Sequence, residues 1–201
     1  MIRAARHRDG FSLVELLIVI SLVGILTALV IPNAGTSLHE QLQSAADIIA
    51  ADIAYARSLA VAGSSKYRLT FDADANQYVL EHSGTNAVLN ALPPSPFHRS
   101  IAGQTSQIVK LTDLPRMGPP VRLVGAFTGG GSPAAVDDLE FGPLGESTRS
   151  EETVIWLTAG RGTARRFLAV RVNPITGLTW VEGFQAETPA AVTATGTAVS
   201  N

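Results

Sequence analysis

Gly10-Phe11-Ser12-Leu13-Val14-Glu15, running on into the uncharged stretch from Leu16 to Ile31, decides how this chain folds. Three arginines, Arg3, Arg6 and Arg8, precede it, and within the sixteen residues from Leu16 to Ile31 only Ser21 and Thr27 are appreciably polar. From Phe11 to Asn33 the segment supplies the ~20 residues that a helix needs to cross a ~30 Å hydrocarbon core. The basic leader predicts a cytoplasmic N-terminus by the positive-inside rule. Glu15 is the exception in an otherwise ordinary anchor. An ionisable group in such a segment is costly and marks a functional position that needs a partner.

Two plainer readings compete. A secretory signal peptide also begins basic and continues apolar, but it is cut after its apolar run at an A-x-A-like site. Here that run ends in Val30-Ile31-Pro32-Asn33-Ala34-Gly35, a poor match. A plain signal anchor would let Glu15 snorkel to the interface from near the helix end.

The string Gly10-Phe11-Ser12-Leu13-Val14-Glu15-Leu16-Leu17-Ile18-Val19-Ile20 resembles the class III signal of type IV pilins and type II secretion pseudopilins. The resemblance implies cleavage by a prepilin peptidase between Gly10 and Phe11, followed by N-methylation of Phe11. It also implies that Glu15, fifth in the processed chain, pairs with the terminal ammonium of a neighbouring subunit during assembly. Opposite charges in a low-dielectric bundle attract strongly and offset each other's desolvation.

With residues 1–10 removed, 12 basic and 16 acidic side chains remain, a formal charge of −4 that does not suggest a general nucleic-acid binder. The chain has no cysteine, which excludes a disulfide framework and a thiolate metal site. The four histidines, His7, His39, His82 and His98, lack metal-ligand spacing. Neither a Walker loop nor a Gly-x-Ser-x-Gly elbow occurs. No enzyme and no cofactor are expected.

Beyond Pro32, which should kink or loosen the helix, Leu38, Leu42, Ala46, Ile49, Ile53, Ala56 and Ala60 recur at helical steps. They predict an amphipathic helix over 34–63 that ends at Gly63 and packs its stripe on a sheet. Continuous from Phe11 to Ala62, the helix would be roughly 75–80 Å long at 1.5 Å per residue. From residue 64 to 185 short β-rich runs alternate with turns, about eight strands in all. Lys66–Phe71 and Gln77–His82 bracket Asp72-Ala73-Asp74-Ala75-Asn76 as a hairpin. Asn173-Pro174-Ile175-Thr176-Gly177 reads as a turn between the last two strands. Residues 186–201, small and threonine-rich without periodicity, are predicted to be a disordered tail.

Three further stretches resemble minor pseudopilins of the GspH/FimT group: Ala56-Arg57-Ser58-Leu59-Ala60, Leu139-Glu140-Phe141-Gly142-Pro143-Leu144-Gly145, and Arg171-Val172-Asn173-Pro174-Ile175-Thr176-Gly177. The expected fold is α+β and pilin-like, a long helix, transmembrane over 11–33 and amphipathic over 34–63, packed on antiparallel sheets. The expected role is a minor pseudopilin of a type II secretion or type IV pilus-like fibre, acting in protein secretion or fibre initiation. Its partners would be prepilin peptidase, other pseudopilins and the inner membrane, with a cytoplasmic N-terminus and a periplasmic domain. An anchored envelope protein that never polymerises is an alternative.

Two lesser site candidates stand beside this one. Asp72, Asp74 and Asn76 alternate like the opening of a calcium loop, although Gln77 replaces the expected glycine and Ser83 the closing acid. Turn chemistry explains the same residues. Arg161, Arg165, Arg166 and Arg171 form a basic stretch, and some FimT-like minor pilins bind DNA for uptake through arginines near the C-terminal end. Leu178 stands where the related motif usually carries an arginine, and no aromatic interleaves to stack bases. A solvated strand is the simpler explanation of these arginines.

Overall fold

The computed structural model describes residues 12–30, 38–97, 101–114 and 121–194. The apolar run forms helix α1, Leu13–Val30, and the amphipathic segment forms α2, Leu38–Gly63. The two belong to separate compact units, residues 1–36 and 37–201. The single helix predicted from Phe11 to Ala62 passes through residues 31–37, and with the expected kink at Pro32 it falls there outside the described residues.

Six of the seven predicted stripe residues of α2 are buried, and Leu38 is partly so. The stripe is wider than predicted, because Ala45 and Asp52 are buried as well. Two antiparallel sheets receive it. Strands β1 (Tyr67–Asp72), β2 (Gln77–His82), β3 (Ser106–Lys110) and β6 (Asp138–Phe141) form the first, in the order β3-β2-β1-β6. Strands β4 (Arg122–Thr128), β5 (Ala135–Val136), β7 (Thr153–Ala159), β8 (Arg166–Val172) and β9 (Thr179–Val181) form the second, in the order β5-β4-β7-β8-β9. The α+β class and the antiparallel pairing are those expected, and the predicted hairpin runs in register from Tyr67↔His82 to Asp72↔Gln77.

One chain segment joins the sheets. β5 pairs with β4, β6 pairs with β1, and Asp137 between them accepts a hydrogen bond from Phe71 N at 2.7 Å. The inner faces of both sheets and the stripe of α2 share a single core that includes Leu69, Tyr78, Phe141, Ile155, Leu157, Leu168 and Val170. A bulge between Leu123 and Gly125 resets the alternation of β4. Leu123 and Ala126 therefore both reach that core, while Val124 and Phe127 face away.

The outer face of the second sheet corrects one expectation. Residues 190–194 of the predicted tail form a short helix, α3 (Ala190–Ala194). Its Ala191 and Val192 bury themselves against Val124, Phe127, Val154, Trp156, Phe167 and Ala169. Composition misleads here because two small apolar residues are enough to cover a face that the strands themselves leave apolar. Residues 195–201 of the tail lie outside the described residues.

Candidate functional site

Ser12 opens α1. Its hydroxyl oxygen accepts from Val14 N at 3.3 Å and its carbonyl from Leu16 N at 3.1 Å, satisfying two backbone donors at the helix start. Glu15 follows in the first turn, where a carboxylate faces the positive end of the helix macrodipole. It is exposed, as are the apolar side chains on every side of it from Leu13 to Leu26. No hydrogen bond or ion pair to Glu15 occurs among the described residues. Gly10 and Phe11, the predicted cleavage and methylation positions, lie outside the described residues. Ser21 returns its hydroxyl to Leu17 O at 2.8 Å and so presents no free donor to an apolar neighbour.

The 18 residues of α1 extend about 27 Å. Among the described residues no helix is long and apolar enough to cross a membrane. Phe11 and residues 31–33 of the predicted span lie outside them.

The four arginines named in the sequence do not form one patch. Arg166 and Arg171 are an odd number of positions apart on β8 and so point to opposite faces of the sheet. Arg171 lies between Glu152, at 2.5 Å, and Glu182, at 2.6 Å. Burial works to lower its pKa, but the two carboxylates outweigh burial and raise it. Its charge is spent on fastening the outer face. Arg161 and Arg165 flank a 3-10 turn, Gly162–Ala164, and Arg166 donates to Thr163 O at 3.0 Å and Arg165 O at 2.7 Å.

Nor do the calcium-like residues converge. Asp72 accepts from Ala75 N at 2.9 Å inside the turn. Asn76, in the left-handed region at φ 52°, turns its side chain inward. There Oδ1 accepts from Leu123 N at 2.7 Å, and Nδ2 donates to Val121 O at 3.2 Å. Asp74 remains exposed. Among the described residues no group of three or more His, Asp or Glu side chains is placed to hold a metal ion.

Two polar clusters escaped the sequence reading. Asp52 is buried in the stripe of α2 and accepts a hydrogen bond from the Tyr78 hydroxyl on β2. Burial, then the Asp52 charge, holds the Tyr78 phenol well above its ordinary range. On the first sheet, Glu140 meets Arg68 at 2.8 Å and Lys66 at 3.3 Å, and Asp138 meets Arg68 and Arg149. Burial alone would raise the Glu140 pKa, but Ser83 and the two cations together bring it below the ordinary carboxylate value. His82, also buried, lies 2.7 Å from Ser65 Oγ and 2.7 Å from Asn90 Oδ1. Asn90 Oδ1 only accepts, so His82 Nδ1 is the donor of that bond. His39 packs edge-on against Phe184, while His7 and His98 lie outside the described residues.

A helix with a lone acid in its first turn thus precedes an α+β domain in which a second helix packs on two antiparallel sheets. The prokaryotic N-terminal methylation motif family matches residues 5–31, a stretch that contains Gly10, Phe11 and Glu15. The matched stretch is the N-terminal signal itself and not the domain that follows it. A signal of this kind implies processing by a prepilin peptidase and assembly with other pilins. Among solved structures the chain is similar to the Pseudomonas aeruginosa type IV minor pilin FimU in two crystal forms. For the first the TM-score is 0.43 at 19% identity, over 71% of this chain and 88% of that one. For the second it is 0.42 at 20% identity, over 71% and 93%. No curated protein matches.

Proposed function

We propose that this chain is a minor pseudopilin, a subunit of a type II secretion or type IV pilus-like fibre that serves protein secretion or fibre initiation. The observation that carries this reading is the match over residues 5–31, with Glu15 standing exposed among apolar neighbours in the first turn of α1. In this proposal the segment from Phe11 to Asn33 first holds the precursor in the inner membrane, with the domain in the periplasm. Cleavage after Gly10 frees the Phe11 amine, which is then methylated. The helix leaves lipid for a bundle of like helices, and Glu15 sets its register by pairing with the ammonium of a neighbour's Phe11. The pairing works because each charge is otherwise stranded in a medium of low dielectric.

Glu15→Ala tests it. Processing should persist, whereas recovery of the chain in sheared or pulled-down fibres should fall at least tenfold. Normal incorporation of the variant contradicts the role. DNA uptake through the late arginines draws less support, since Arg171 is already held by two carboxylates.

A further inference from the structure

The turn between β7 and β8 carries three arginines in six residues, Arg161, Arg165 and Arg166. It sits over the start of α2: a methyl group placed on Gly160 would stand 3.1 Å from Leu38 Cδ2. Leu38 is the residue at which the chain enters the domain. Only residues 31–37 separate it from Val30, the last residue of α1.

The turn itself carries only positive charge, while Glu40 lies in the first turn of α2 nearby. Arg161 is exposed. Arg166 gives Nη1 to two backbone carbonyls, which orient its guanidinium without cancelling its charge. The chain beyond the leader is net acidic, so the basic turn is a local exception. An anionic surface would repel most of the domain and attract this end. The attraction decays within about 8 Å at physiological salt, so it acts only on a surface that the tether keeps close.

We propose that the Arg161–Arg166 turn is a docking surface for the anionic phospholipid headgroups of the membrane that holds the precursor, keeping the domain against the bilayer until assembly. This rests on the anchoring reading above. Each arginine near such a surface contributes about 5-fold to the docked-to-free ratio, so losing Arg161 and Arg166 should cost about 25-fold.

The chain has no cysteine, so Thr163→Cys in the same turn takes a single fluorophore. The full-length labelled chain would be reconstituted in vesicles of phosphatidylcholine, alone or mixed with phosphatidylglycerol, with a headgroup-borne quencher. Quenching should be strong only with phosphatidylglycerol, should weaken with salt, and should collapse in Arg161→Ala/Arg166→Ala while surviving in Arg161→Lys/Arg166→Lys. Equal quenching in both lipid mixtures, with the chain floating alongside the vesicles, overturns the docking surface and leaves the anchor standing. Quenching relieved by duplex DNA but indifferent to phosphatidylglycerol overturns it in favour of nucleic acid. A chain that floats with neither kind of vesicle overturns the anchor and the docking surface together.

Discussion

Glu15 and Asp52 are both carboxylates set among apolar residues, and they solve the problem differently. Asp52 has its partner within the domain, the Tyr78 hydroxyl, across the interface between α2 and β2. Glu15 has none among the described residues of its own chain, and its surroundings are exposed. Asp52 belongs to folding, whereas the proposed function gives Glu15 to association. Tyr78→Phe removes the donor and leaves Asp52 buried, which should cost about 2 kcal/mol, the scale of a hydrogen bond to a charged group. Urea unfolding of the domain checks this, and an unchanged midpoint would refute it. Glu140 offers a pH handle. Its folded pKa lies below the ordinary 4.5, so it contributes stability above that pH, and the contribution is lost as pH falls through the lower folded value. In Glu140→Gln the melting temperature should therefore fall less steeply on acidification below pH 4.5 than in the parent.

At the scale of elements, α2 was legible because its apolar residues recur at the helical period and a sheet was available to cover them. Asp52 was not, since an acid in that stripe looks like a solvent-facing interruption until Tyr78, 26 residues away in sequence, comes into place. The first hairpin was legible from its turn residues. The Asn173–Gly177 turn was as well, and its last residue shows why glycine is needed. Gly177 has φ 64°, and a Cβ there would stand 2.1 Å from Gly145 O. The four arginines are near one another in sequence but not gathered in space. Strand alternation alone separates Arg166 from Arg171. α3 was hidden by its brevity and by its alanine- and threonine-rich surroundings. Deleting residues 190–201 should expose Trp156, shift its fluorescence to the red and lower stability by about 2 kcal/mol, the scale of one buried Val side chain. An unshifted spectrum would mean that α3 does not cover that face.

For the whole molecule, the division into two compact units follows from two kinds of apolar surface. The domain packs two apolar clusters between its two sheets and two helices and leaves only separate apolar side chains exposed. Residues 13–26 enclose none of theirs. A protein rarely leaves so much apolar surface open unless lipid or another protein is to cover it. The proposed life of the chain assigns both covers in turn, lipid before cleavage and neighbouring helices after it. Everything in that sequence of events depends on what happens at Gly10. Mass spectrometry of the mature protein, recovered from cells that carry the whole assembly machinery, reads it directly. The account predicts a chain that begins at N-methylated Phe11. A chain that still begins at Met1, or one cut near Ala34, would contradict it.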